Sequence, residues 1–198
     1  EITWVTGVQT CALPIYYSNQ NNFANDYVRK HNPLALFESV TTNSTRLRTI
    51  KSFVDFETEL KNKQLPQWSF ITPNMTNDGH DTTINYAASW SKKFLTPLLA
   101  NEYFMNNTLI ILSFDEVETY STPNKVFTLL FGGAVPKSLQ GTTDSTFYNH
   151  FSTIASVSAN WDLPSLGRWD CGANVLATVS NVRSEEHTSE LQSPRLSR

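Results

Sequence analysis

Hydrophobic positions along the chain follow two rhythms. Residues 108–114 read Thr-Leu-Ile-Ile-Leu-Ser-Phe, an apolar run without alternation, as expected of a strand buried on both faces. Residues 68–72 and 126–131 are shorter runs of the same kind; the first breaks into Pro73-Asn74 and the second is closed by Gly132-Gly133. Elsewhere the spacing is helical. Residues 44–63 place Leu47, Ile50, Phe53, Val54 and Leu60 near one stripe, and residues 82–101 do so with Ile84, Ala87, Ala88, Trp90, Phe94, Leu98 and Leu99. Pro97 is expected to kink or shorten the second of these. A short helix over 22–31 ends at Asn32-Pro33, because the residue before proline is pushed out of the α region. Residues 144–160 read as a loop entering a helix, and 161–182 are rich in turn formers.

Two apolar strands joined by a helix of about 20 residues predict a βαβ unit and a parallel sheet, hence an α/β fold. No internal repeat, GxGxxG, P-loop or paired CxxC occurs, which removes support for dinucleotide, nucleotide and structural-zinc chemistry.

The two ends read differently from the rest. Val5 to Ile15 has no helical or strand period, and Arg183 to Ser193 is polar throughout. The two stretches can be encoded by opposite strands of one oligonucleotide that looks like a common sequencing-library adapter. Residues 1–15 and 183–198 are therefore set apart as non-native, leaving 16–182 as the natural segment, a fragment of one domain. Cys11 and His187 drop out of the chemical inventory with them.

Composition then bounds the partners. The 198 residues carry a formal net charge of −3, which argues for neither nucleic acid nor an anionic membrane surface. No apolar run approaches the ~20 residues of a membrane span. Cys171, the one cysteine of the natural segment, is either a buried thiol or the partner of a cysteine elsewhere. Sequons begin at Asn43, Asn74 and Asn106, but at this Asn, Ser and Thr density roughly four are expected by chance.

Chemistry concentrates at strand ends, where open α/β sheets place ligands. Asp115 and Glu116 follow the run 108–114. Adjacent carboxylates repel unless a cation or strong donors compensate them, and their hard oxygens suit Ca²⁺, Mg²⁺ or Mn²⁺. Since neighbours on a strand point to opposite faces, both reach one ion only where the strand has ended. The run 68–72 leads into Asn77-Asp78-Gly79-His80-Asp81, a turn sequence in which a carboxylate can orient an imidazole. His31 ends the first helix, where a cap role competes with a catalytic one. His150 opens the last helix and, with Asp81, is a secondary candidate.

Five stretches in order carry a resemblance: Arg-Lys-His-Asn-Pro at 29–33, Thr-Pro-Asn-Met-Thr-Asn-Asp-Gly-His-Asp at 72–81, Leu-Ser-Phe-Asp-Glu at 112–116, His-Phe-Ser-Thr-Ile at 150–154 with Ala-Asn-Trp at 159–161, and Leu-Gly-Arg-Trp-Asp at 166–170. Together they resemble the C-terminal half of the phosphoesterase family of secreted fungal acid phosphatases, which also holds bacterial acid phosphatases and non-specific phospholipases C. Singly each stretch is weak; five in order, over nearly all of 16–182, are specific.

The resemblance implies part of an alkaline-phosphatase-like three-layer sandwich with a mostly parallel sheet. It also implies phosphate monoester hydrolysis assisted by a divalent cation through a Ser or Thr phosphoenzyme, and a secreted or cell-wall location. By the same resemblance Asp115 and Glu116 are metal ligands, His80 and His31 contact phosphoryl oxygens or protonate the leaving group, and Asp78 positions His80. An acidic optimum follows if an imidazole must carry a proton, since a free one titrates near about 6.5. The family's Glu-Asn metal pair and its nucleophile have no counterpart here, and Ser158 stands where the family usually has Glu. Alternatives are phosphodiester cleavage of the phospholipase C kind and a non-catalytic secreted module.

Overall fold

The structure, a computed structural model, describes residues 9–11 and 28–178. The chain divides into two compact units, residues 1–104 and 105–198.

In the first unit, β1 (Gln9–Cys11) is followed by single 3-10 turns at Arg29–His31 and Pro33–Leu36, then α1 (Glu38–Thr41), α2 (Ser44–Leu47), β2 (Ile50–Lys51), α3 (Phe53–Lys61), β3 (Ser69–Phe70), α4 (Ile84–Leu99) and α5 (Glu102–Met105), whose last residue opens the second unit. β1 pairs parallel with β2 and β3, with Thr10 opposite Ile50 and Phe70. β1 lies inside the stretch that reads as translated adapter. Ladder bonds are made by backbone groups, which every residue but proline carries, so pairing there is indifferent to the origin of the residues. Of the helix expected over 22–31, residues 22–27 lie outside the described residues, and the end that is described is a 3-10 turn.

The helix expected over 44–63 is two helices with a strand between them. Asn43 caps α2 by accepting from the backbone of Thr45 and Arg46, both at 3.0 Å. Ser52 and Asp55 then form a capping box that starts α3 afresh. A cap inside the window outweighs continuous apolar spacing, because it satisfies backbone donors that a through-running helix would have to bond itself. α4 matches its expected span closely. Thr83 caps it, and it runs past Pro97 to Leu99, since a proline two residues from the end disturbs only the final turn.

α3 and α4 build the core of this unit. Phe56 and Leu98 are buried, with Phe53, Leu60, Leu65, Ile71, Phe94, Leu95 and Phe104 packed around them. Trp90 stacks on Phe94 at 5.1 Å, and both Phe53 and Phe56 pack against Phe94. Aromatic pairs of this kind add to the effect of area burial.

In the second unit β4 (Ile110–Ser113) pairs antiparallel with β5 (Thr128–Phe131), Ile110 opposite Phe131 and Ser113 opposite Thr128. Both strands were expected over 109–114 and 126–131; the run 68–72 supplies β3 of the first unit. A 14-residue link without a helix joins β4 to β5, and a link of that kind returns the chain antiparallel. Gly132 and Gly133 permit the exit from β5. A Cβ on either would stand 2.2 Å from the Thr108 carbonyl oxygen or 1.9 Å from that of Met105, and Ala134 donates to the same Thr108 oxygen at 3.0 Å. A 3-10 turn at Lys137–Leu139, α6 (His150–Asn160) and a 3-10 turn at Trp169–Gly172 follow. The architecture is mixed α/β, with a small antiparallel sheet in this second unit.

Candidate active site

The first group of candidate residues sits on the turn after β3. Its backbone is closed from within: the Asn74 carbonyl accepts from Asn77 and Asp78, and Asp81 donates to the Met75 carbonyl. The Thr82 hydroxyl reaches the Thr76 carbonyl at 2.7 Å. Met75 is fully buried beneath the turn. Gly79 has φ +95°, a value that side chains resist and glycine adopts freely.

This turn sorts two acids between two imidazoles. Asp78 Oδ2 lies 3.3 Å from His31 Nδ1, while its Oδ1 accepts from the His80 backbone N–H at 2.8 Å. The His80 ring has a different partner: Nδ1 lies 2.8 Å from Asp81 Oδ1. A carboxylate only accepts, so His80 carries its proton on Nδ1 there and Nε2 is the nitrogen left to meet a ligand. The two rings are 5.8 Å apart, tilted by 60°. Asp78 thus holds His80 by its backbone, and Asp81 holds the ring. His31 and Asp78 are half-buried, whereas His80 and Asp81 are exposed.

The second group sits at the end of β4. Asp115 and Glu116 are both exposed. The Asp115 carbonyl oxygen lies 2.6 Å from His150 Nε2 and accepts from Asn124 Nδ2 at 3.1 Å. His150 stands at the first position of α6, whose start is fixed by an Asn149–Ser152 capping box. Asn124 carried no signal in the sequence, because nothing local marks an amide that bonds across nine residues. Ser158, half-buried on α6, accepts through its carbonyl from Leu163 at 2.9 Å.

Other charged groups are spoken for structurally. Asp170 is buried and accepts from the Ser165 hydroxyl and the backbone of Leu166 and Arg168. The Ser165 hydroxyl, more than the opposing effect of burial, holds its carboxyl below the ordinary range. Cys171, expected to be buried or paired elsewhere, is exposed and lies 2.9 Å from Ser165 Oγ. Arg29 donates to the Ala35 carbonyl, and its buried Nε lacks a hydrogen-bond partner among the described residues.

Asp115 and Glu116 offer the oxygen donors a hard divalent cation prefers, but such ions take six or more ligands. Among the described residues no three His, Cys, Asp or Glu side chains are grouped to hold a metal. The described groups do not make a metal site by themselves.

The first unit thus carries two imidazole–carboxylate pairs side by side, and the second, taken by itself, carries two exposed acids on a braced turn. The chain belongs to the phosphoesterase family, whose match covers residues 2–164 and so begins within the adapter-like stretch. It is 66% identical over 165 residues to an acid phosphatase of Aspergillus fumigatus, covering 83% of this chain and 37% of that protein. It is 62% identical over 166 residues to a probable acid phosphatase of Kluyveromyces lactis, covering 84% and 39%. An acid phosphatase of Aspergillus niger is 55% identical over 197 residues, covering 96% and 47%. The chain thus spans less than half the length of these curated relatives. No solved structure matches it.

Proposed function

We propose that this chain is part of an enzyme that hydrolyses phosphate monoesters, a reading supported by its likeness to fungal proteins named acid phosphatase. The observation that carries the reading is the pair of imidazole–carboxylate couples built by His31, Asp78, His80 and Asp81. Monoester hydrolysis must neutralise charge on the phosphoryl oxygens and supply a proton to the leaving oxygen. His80 and His31 take these roles, with Asp78 and Asp81 setting their orientation.

Asp115 and Glu116 are two ligands of a divalent cation whose remaining ligands, with a Ser or Thr nucleophile, come from parts of the protein beyond residues 16–182. A bound cation would supply electrostatic stabilisation of the phosphoryl group. In the whole protein the strands belong to a mostly parallel sheet of an alkaline-phosphatase-like three-layer sandwich, and the protein is secreted or held in the cell wall. Residues 1–15 and 183–198 are non-native in this reading.

The test is made on a full-length protein carrying residues 16–182. It should hydrolyse 4-nitrophenyl phosphate in preference to bis(4-nitrophenyl) phosphate and a phospholipid diester. Turnover should fall on His80→Ala and on Asp115→Ala. Preference for the diesters would move the assignment to phospholipase C chemistry. Unchanged turnover in both variants would reduce these residues to packing and capping.

A further inference from the structure

The turn that presents Asp115 and Glu116 is braced from two distant places. Asn124 grips it twice: its Nδ2 donates to the Asp115 carbonyl at 3.1 Å, and its Oδ1 accepts from the Val117 backbone at 2.8 Å. A primary amide so placed does for residues 115–117 what a neighbouring strand does for a ladder, offering one donor and one acceptor. His150 supplies the second brace, its Nε2 lying 2.6 Å from the same Asp115 oxygen across 35 residues of sequence. Both lone pairs of that carbonyl are then used. On the strand side, Ser113 Oγ donates to the Phe127 carbonyl at 3.1 Å or bonds the Thr128 hydroxyl at 2.8 Å.

The backbone of the turn is therefore pinned while its two carboxylates stay exposed. A site requires this combination, because unpinned adjacent carboxylates would swing apart under mutual repulsion. The carbonyl can only accept, so the His150 nitrogen must carry hydrogen in either charge state of the ring. While that bond stands, Nε2 has no lone pair to give a metal. Residue type alone made His150 a secondary ligand candidate; the geometry points to another role.

We propose that His150 and Asn124 are positioning residues that jointly fix the Asp115–Glu116 turn, a role that rests on the phosphatase reading above for its consequence in catalysis. The experiment follows amide exchange at Val117 and turnover of 4-nitrophenyl phosphate in the full-length protein. His150→Ala and Asn124→Ala should each speed exchange at Val117 at least about tenfold. They should lower kcat/KM by roughly 10- to 100-fold, as loss of groups one step behind a reactive centre does. His150→Gln, whose amide nitrogen can stand in for Nε2, should restore exchange and most of kcat/KM. Unchanged exchange in both alanine variants overturns the proposal, as does unchanged kcat/KM in both, or a glutamine variant as impaired as the alanine one. Wild-type protein inert towards the ester would sink the phosphatase reading instead, and the exchange rates would still decide whether the brace exists.

Discussion

Gly79→Ala separates backbone strain from crowding at the turn that carries His80. Gly79 has φ +95°, and a Cβ built there would meet Ala87 Cβ at 3.4 Å, an ordinary van der Waals distance that costs little. Left-handed backbone costs an L-residue about 1–2 kcal/mol, so the strain term decides the outcome. An expected loss of that size shifts the folding equilibrium by roughly 5- to 30-fold. Urea unfolding should show a lower midpoint at unchanged slope, and Gly79→Asn should cost less because asparagine tolerates positive φ. A double-mutant cycle with Ala87→Gly tests the alternative. If crowding were the cause, trimming Ala87 would recover the loss; if strain is, the coupling energy should be within about 0.5 kcal/mol of zero. A midpoint unmoved by Gly79→Ala, or recovered by Ala87→Gly, refutes the reasoning.

Four further outcomes follow from other contacts of the structure. Ser52→Ala should cost ~1 kcal/mol by removing the cap of α3. The backbone and hydroxyl of Ser52 hold the Asp55 carboxyl below its ordinary range, so the Asp55 contribution should be complete above about pH 4 and vanish as pH falls through the lower folded value. Wild type and Asp55→Asn should converge there in an acid-unfolding series. Asp78→Ala should lower both stability, by ~1.5–3 kcal/mol for a charge-assisted bond to the His80 backbone, and turnover, whereas Asp81→Ala, which frees only the ring, should spare stability to within about 0.5 kcal/mol and still lower turnover. Phe56→Ala, at a side chain 2% exposed, should cost about 3–5 kcal/mol by calorimetry.

Much of this was legible in the residues because the signals are local. Asn77-Asp78-Gly79 marks a turn through side chains that bond their own backbone and a glycine that accepts positive φ, and the turn is where the sequence placed it. The strands ending at Ser113 and Phe131 and the helix through Trp90 were announced by apolar runs and spacing. What escaped was set by longer reach. The break at residues 48–52 depends on a capping box competing with a periodic stripe, and spacing alone cannot weigh the two. Asn124 became visible only when its amide was seen to span residues 115 and 117.

The division of labour between Asp78 and Asp81 bears on the chemistry more than either residue does alone. Both flank His80, and spacing cannot tell which one serves its ring. The positive-φ glycine between Asp78 and His80 resolves this, with Asp78 paired to His31 and Asp81 paired to the His80 ring. Each imidazole therefore has its own carboxylate, although the rings lie only 5.8 Å apart. One shared carboxylate would tie the orientation of one ring to that of the other. With two, the rings are oriented independently, which is what the proposed hydrolysis of a phosphate monoester would ask of a pair of imidazoles serving different oxygens.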